Sequence, residues 1–167
     1  LVSSLLSQGD GEGLQADEVW GEGVIVPVQE GLSRAGTASA TFVPDGQIWL
    51  AYTGRVDVVT KGQRGNFNND IYLKKGTILS DGTIDWGTLP DQRMTQGPET
   101  DTIPSILYAD GKAWLVYQSD LTGEKRLYSM VFTDGQWSAA QQVTMYGSTD
   151  YMMYPKLAWD GSVVWLY

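Results

Sequence analysis

The 167-residue chain has no histidine and no cysteine, and only 11 Lys and Arg stand against 20 Asp and Glu, for a net charge of −9. Each shortage removes a class of chemistry. Without thiolate or imidazole ligands there is no Cys or His zinc site, no cysteine nucleophile, no Ser-His-Asp triad and no disulfide framework. Without a basic cluster nothing displaces the counterions of nucleic acid or grips an anionic membrane surface, so neither is an expected partner. No apolar run approaches the roughly 20 residues that span a bilayer, and the opening LVSSLLSQGDGEG lacks the basic flank and apolar centre of a signal peptide. Neutral or cationic partners remain. The chain starts at Leu1 rather than Met and stops at Tyr167 within an apolar run, so it is expected to be an excised piece of a longer protein.

Seven Trp and nine Tyr supply large apolar surface, and their placement is periodic. Three segments align: Phe42-Val-Pro-Asp45-Gly46-Gln-Ile-Trp-Leu-Ala-Tyr52, Ile106-Leu-Tyr-Ala-Asp110-Gly111-Lys-Ala-Trp-Leu-Val-Tyr117 and Leu157-Ala-Trp-Asp160-Gly161-Ser-Val-Val-Trp-Leu-Tyr167. Asp and final Tyr are seven residues apart in each, and Trp20, Trp86 and Trp137 precede the Asp-Gly pairs by 25, 24 and 23 residues. A fixed period is the mark of a repeat architecture. Asp-Gly flanked by β-branched and aromatic residues predicts a hairpin, so Ser105 to Ala109 should pair with Lys112 to Gln118, and likewise around Asp45 and Asp160. Third strands follow at Asp70 to Lys74 and Arg126 to Phe132. The chain then turns through Ser80 to Trp86 or Thr133 to Trp137 into a short outer strand. No stretch holds helical spacing over ten residues.

The expected fold is therefore all-β, with four antiparallel strands per unit. Units of this kind are expected to be β-propeller blades; a β-sandwich, which also has many short strands, is the alternative, but it does not predict three copies of one hairpin with matching upstream tryptophans. The boundaries read as blade one over 20–86, with an insertion at 55–70, blade two over 86–137 and an incomplete blade three over 137–167. Residues 1–7 are expected to complete a blade of another polypeptide. Three blades are half of a six-bladed ring, so a second copy or the rest of a parent chain is an expected partner.

The unit P-x-[Ile/Leu]-x-x-Asp-Gly-x-x-Trp-Leu-x-Tyr, followed by Asp-Gly-x-Trp-Ser, resembles the sialidase-like propellers with Asp-box, or bacterial neuraminidase, repeats. The closest pieces are Asp101 to Ile106, Lys112 to Tyr117, Ser80 to Trp86 and Thr133 to Trp137. The boxes are degenerate, since none carries the full Ser-x-Asp-x-Gly-x-Thr-Trp pattern. The resemblance implies structural roles for Asp81, Asp134, Trp86 and Trp137, a lectin-like or glycoside-processing activity and a secreted or extracellular setting. It also implies that this chain lacks a sialidase centre of its own. Thr102 and Met153 stand where the family's arginine clamps a substrate carboxylate, and the family's carboxylate after the second strand is replaced by the neighbourhood of Tyr117-Gln118.

Candidate site residues follow from what remains. Asp45, Asp110 and Asp160 belong to tight turns, where Asp bonds its own backbone. Asp85, Asp91, Glu99 and Asp101 lie in the connection between units and are freer for acid/base work by paired carboxylates. Tyr52 to Trp86 spans 34 residues where Tyr117 to Trp137 spans 20, an excess of 14 within 55–70. Long insertions on a repeat scaffold are where function concentrates, so Arg55, Arg64, Asn68 and Asp70 are the leading ligand-binding candidates, suited to sugar hydroxyls. A calcium site would draw on Asp57, Asn66, Asn68 and Asp70, in a spacing that matches no recognised loop. No other cofactor is expected. Tyr151 and Tyr154 are candidate stacking rings, whereas Trp49, Trp114 and Trp165 are expected in the core. The leading expectation is a non-catalytic glycan-binding module; a glycoside-processing fragment and an assembly scaffold are the alternatives.

Overall fold

The computed structural model describes residues 26–58, 66–143 and 154–167. They form twelve β-strands in antiparallel ladders and no helix, so no described helix could cross a membrane. The first sheet holds β1 (Arg34–Val43), β2 (Gln47–Val58), β3 (Asn66–Ile78) and β4 (Ile84–Asp85) in that order, with β5 (Gln92–Arg93) also on β3. The second holds β6 (Asp101–Ala109), β7 (Lys112–Ser119) and β8 (Arg126–Thr133), with β9 (Gln136–Trp137) and β10 (Gln141–Gln142) both on β8. A hairpin of β11 (Leu157–Trp159) and β12 (Val164–Leu166) completes the set. All-β architecture is thus the outcome; among the described residues the sheets stay open and no ring closes.

Two hairpins turn where Asp-Gly is placed. Asp45 and Gly46 (φ 64° and 68°) and Asp110 and Gly111 (φ 49° and 74°) are left-handed, a conformation Gly adopts freely and Asp tolerates. The first turn has one residue more, since Val43 pairs Gln47 whereas Ala109 pairs Lys112. Ser39 and Ser105 are equivalent as a result, facing Ala51 and Val116.

The third hairpin corrects the expected alignment. Trp159 pairs Val164, and Asp160 N–H reaches the Val163 carbonyl at 3.4 Å, so the turn residues are Gly161 and Ser162. Asp160 sits one place earlier than Asp45 and Asp110 do. Its carboxylate accepts from the Ser162 and Val163 amides at 2.8 Å each and from Trp165 Nε1 at 2.6 Å, capping the turn from outside. Trp165-Leu166 therefore matches Trp114-Leu115 and Trp49-Leu50, and the constant Asp-to-Tyr spacing is not a register. Trp165, expected in the core, is 56% exposed. No described strand lies on its far side as β8 lies beside β7.

The insertion also differs from the loop that its length suggested. Arg55 pairs Asn69 and Val58 pairs Asn66, so β2 and β3 continue as one ladder through most of it. Arg64, Tyr151, Trp20 and residues 1–7 lie outside the described residues. Past Trp86 and Trp137 the chain returns along the same outer edge as β5 and β10, which carries each sheet beyond the tryptophans taken as boundaries.

The two sheets meet face to face. Trp49, Ala51, Ile71 and Leu73 of the first pack on Ile106, Ala113, Leu115, Tyr117 and Tyr128 of the second. These positions alternate along their strands, as a face with period two requires. Trp137 joins them 6.2 Å from Trp49, and Trp86 is buried over Gly76. At the inner edges Ile106 N–H donates to Ser39 Oγ at 3.1 Å, Tyr108 N–H to Thr41 Oγ1 at 2.9 Å and Leu157 N–H to Ser105 Oγ at 3.1 Å. Hydroxyls thus satisfy edge amides that would otherwise stay unpaired or template a further strand.

Candidate functional site

Alternation along β3 places Asn68, Asp70, Tyr72 and Lys74 on one side of the strand. The connection after β4 runs back beside them, held by the Met94 amide on the Ile71 carbonyl at 2.7 Å and the Ile71 amide on Thr95 Oγ1 at 3.0 Å. Gly54 on β2 allows the close packing here, since a Cβ would lie 2.7 Å from the Tyr72 ring and 2.8 Å from Leu32 Cδ1. Tyr72 stacks on Tyr52 at 5.6 Å.

Asp91 ties this wall together. Tyr52 donates its hydroxyl to Asp91 Oδ2 at 2.5 Å, and Lys74 Nζ reaches Asp91 Oδ1 at 2.7 Å, with both charged side chains buried. Gln29 adds a reciprocal clasp: its amide donates to Tyr52 Oη at 3.1 Å, and its Oε1 accepts from the Asp91 amide at 3.0 Å. Burial, helped by the bond to Asp91, pushes the Tyr52 hydroxyl far above its ordinary value.

Next to it lies a second acidic group. Asp70 is fully buried. Its Oδ2 accepts from Arg93 Nε at 3.0 Å and Nη2 at 2.5 Å, and its Oδ1 lies 3.4 Å from Thr95 Oγ1. Burial raises its pKa, and the guanidinium and the threonine hydroxyl oppose that rise. Asp101, 2% exposed, opens β6 opposite Ser119. Burial pushes it up to about 6 against hydrogen bonds from Ser119 and Thr95, with the charges of Glu99 and Asp70 adding to the rise. Thr95 therefore faces both carboxylates with one proton to give. Asp101 Oδ1 and Asn68 Oδ1 are buried without a hydrogen-bond partner, while Asn68 Nδ2 donates to the Gly97 carbonyl.

Solvent reaches this assembly through Arg93. A cleft of about 390 Å³ is lined by Gln29, Glu30, Gly31, Leu32, Tyr72, Asp91 and Arg93. The Arg93 side chain is 38% exposed although its anchor Asp70 is wholly inside. The Asp70 and Asp101 carboxylates are thus behind the wall, and the guanidinium is in it beside Asp91.

Of the expected site residues, Asn68 and Asp70 belong to this assembly, as do Asp91, Glu99 and Asp101 from the connection. Arg55 lies in the adjacent ladder opposite Asn69. Asp85 is elsewhere, bonding the Gly87 amide at 2.9 Å. Tyr154 is 63% exposed with φ 60° on the third hairpin's approach, apart from this cleft. Of the calcium candidates, Asp70 gives its oxygens to Arg93 and Thr95, Asn68 Nδ2 bonds the Gly97 carbonyl, and the side chains of Asp57 and Asn66 lie outside the described residues. Arg93 and Thr95 were not anticipated. Their signal is the strand-like alternation of Asp91, Arg93 and Thr95 in a segment otherwise read as a linker. Comparison with protein-family models, curated proteins and solved structures gives no match to this chain.

Proposed function

We propose that the chain is a non-catalytic glycan-binding module assembled from blades of a sialidase-like β-propeller. The observation that carries the binding role is Arg93, a guanidinium held rigid by a fully buried carboxylate and turned into a cleft with Glu30 and Gln29. A fork of fixed orientation loses little entropy when it hydrogen-bonds a ligand. Charges balance locally: Asp70 neutralises Arg93 and Lys74 neutralises Asp91, which leaves Glu30 at the mouth without an ion pair among the described residues. Such a cleft favours neutral, hydroxyl-rich ligands over anions. Its size is at the small end of ligand sites, fitting one or two sugar rings.

The blade reading is supported by a repeated step between units. Ser39 receives the Ile106 amide as Ser105 receives the Leu157 amide, so the inner strands β1, β6 and β11 succeed one another by the same contact. Among the described residues no strand lies on the outer side of β12, where Trp165 and Tyr167 are exposed, and this supports the reading that a second polypeptide adds the strand that β8 adds to β7.

A glycoside-processing role has one observation in its favour, the pair of Asp70 and a raised Asp101 on either side of Thr95. Burial weighs against it. A general acid must come within hydrogen-bond reach of the glycosidic oxygen, and carboxyls exposed by 0% and 2% do not.

Glycan-array binding of the full chain tests the proposal. Neutral glycans should bind, and Arg93→Lys, which keeps the charge and loses the fork, should weaken binding about 10- to 100-fold. Glu30→Ala, at an exposed position, should weaken it without altering Tm. Binding unchanged in both variants would place the ligand elsewhere.

A further inference from the structure

The two sheets differ at one outer-edge position. In the second sheet the gap between β9 and β10 is closed by Ser138. Its amide donates to the Val131 carbonyl at 2.8 Å, and its Oγ accepts from the Val131 amide at 3.0 Å. Register makes Lys75 the counterpart of Val131, since Trp49 faces Lys75 as Trp114 faces Val131. Trp86 and Gly87 correspondingly match Trp137 and Ser138. Strand alternation points the Lys75 amide and carbonyl outward, because Ile78 N–H turns inward to Gly46 and Ile71 outward to Met94.

Nothing among the described residues closes that outward edge. β4 pairs only Thr77 and Ile78, β5 pairs only Tyr72 and Leu73, and the Gly87 amide bonds Asp85 instead. Gly87, at φ 61°, has no hydroxyl to offer. A notch of about 320 Å³ is left, with Lys75, Trp86, Gly87 and Leu89 in its wall. Trp86 rests the Cε3 edge of its indole on Gly76, and Nε1, at the opposite edge, is buried without a hydrogen-bond partner. Nε1 of Trp137 beside Ser138 is likewise buried without a partner, so what sets the notch apart is the open edge at Lys75.

We propose that the notch between β4 and β5 binds one hydroxyl-rich small molecule, a sugar ring or polyol. Its hydroxyl takes at Lys75 the place that Ser138 Oγ takes at Val131. Space equivalent to roughly ten waters suits a single ring. This site depends on the equivalence of the sheets and not on the cleft at Arg93, so either can fail alone.

The test is an amide and indole NMR titration of the full chain with glycerol, methyl glucoside and methyl mannoside. At least one probe should shift the Lys75 amide and the Trp86 indole N–H together, saturating below about 100 mM. Gly87→Ser should abolish the shift by placing its own hydroxyl at the Lys75 edge, as Ser138 does at Val131. Because serine is strained at that φ, Leu89→Trp, at an exposed position on the rim, provides a second block. Ser138→Gly should open the matching notch and make the Val131 amide respond. No saturable Lys75 shift with any probe, or a shift that survives both blocking variants, overturns the site. A Val131 amide that stays silent in Ser138→Gly while Lys75 responds overturns the hydroxyl-replacement mode.

Discussion

Replacing Asp101 with Asn should make the protein's stability less dependent on pH, and the size of the effect follows from the burial of one carboxyl. Asp101 titrates at about 6 in the fold against 3.8 in its ordinary setting. A shift of about two units corresponds to about 3 kcal/mol at 1.36 kcal/mol per unit. The folded pKa is raised, so the folded state binds the proton more tightly than the unfolded chain. The contribution is fully present below 3.8 and is lost as pH rises through about 6. Asp70, also raised by burial, acts in the same direction. Asp81 and Asp160, lowered by their turn hydrogen bonds, act oppositely, but their contribution is lost only as pH falls below the usual carboxylate range. Denaturant unfolding of wild type and Asp101→Asn between about pH 4 and pH 8 isolates the group, because the cost of burying an amide is common to both ends. The advantage of Asn should grow by about 3 kcal/mol toward high pH, equivalent to roughly 6 to 12 °C in Tm. A difference that stays constant across the range would refute a neutral-preferring Asp101.

Other substitutions probe the remaining supports. Leu115→Ala, at a fully buried position between the sheets, should cost about 2 to 5 kcal/mol in chemical denaturation. Lys74→Met should cost about 3 to 5 kcal/mol by stranding the buried Asp91, and the double variant Lys74→Met with Asp91→Leu should recover much of that loss. Ser105→Ala removes the acceptor for the Leu157 amide. It should cost about 1 to 3 kcal/mol and speed hydrogen exchange at Leu157 more than at Leu115.

Local chemistry made most of the fold legible. Asp-Gly with alternating neighbours located two hairpins, because the left-handed turn is imposed by two adjacent residues. It misplaced the third, where Asp160 gains more by capping from outside the turn than by sitting in it. The insertion was visible as length, but its ladder was not, since Asn66, Asn68 and Asn69 have weak strand propensity and pair only because β2 continues opposite them. Asn68 and Asp70 were found through the insertion, and Asp91, Glu99 and Asp101 as unassigned acids. Arg93 and Thr95 gain their roles from Asp70, 23 and 25 residues away, a juxtaposition set by topology rather than by any local pattern.

The Arg93 Nε–H resonance, followed by NMR while the strongest array glycan is added to the full chain, tests the binding role most directly. A saturable shift at Arg93, accompanied by the backbone amides of Gln29 to Leu32 and lost in Glu30→Ala, is the predicted result. Saturable binding of the same glycan that leaves Arg93 and those amides unmoved would contradict it.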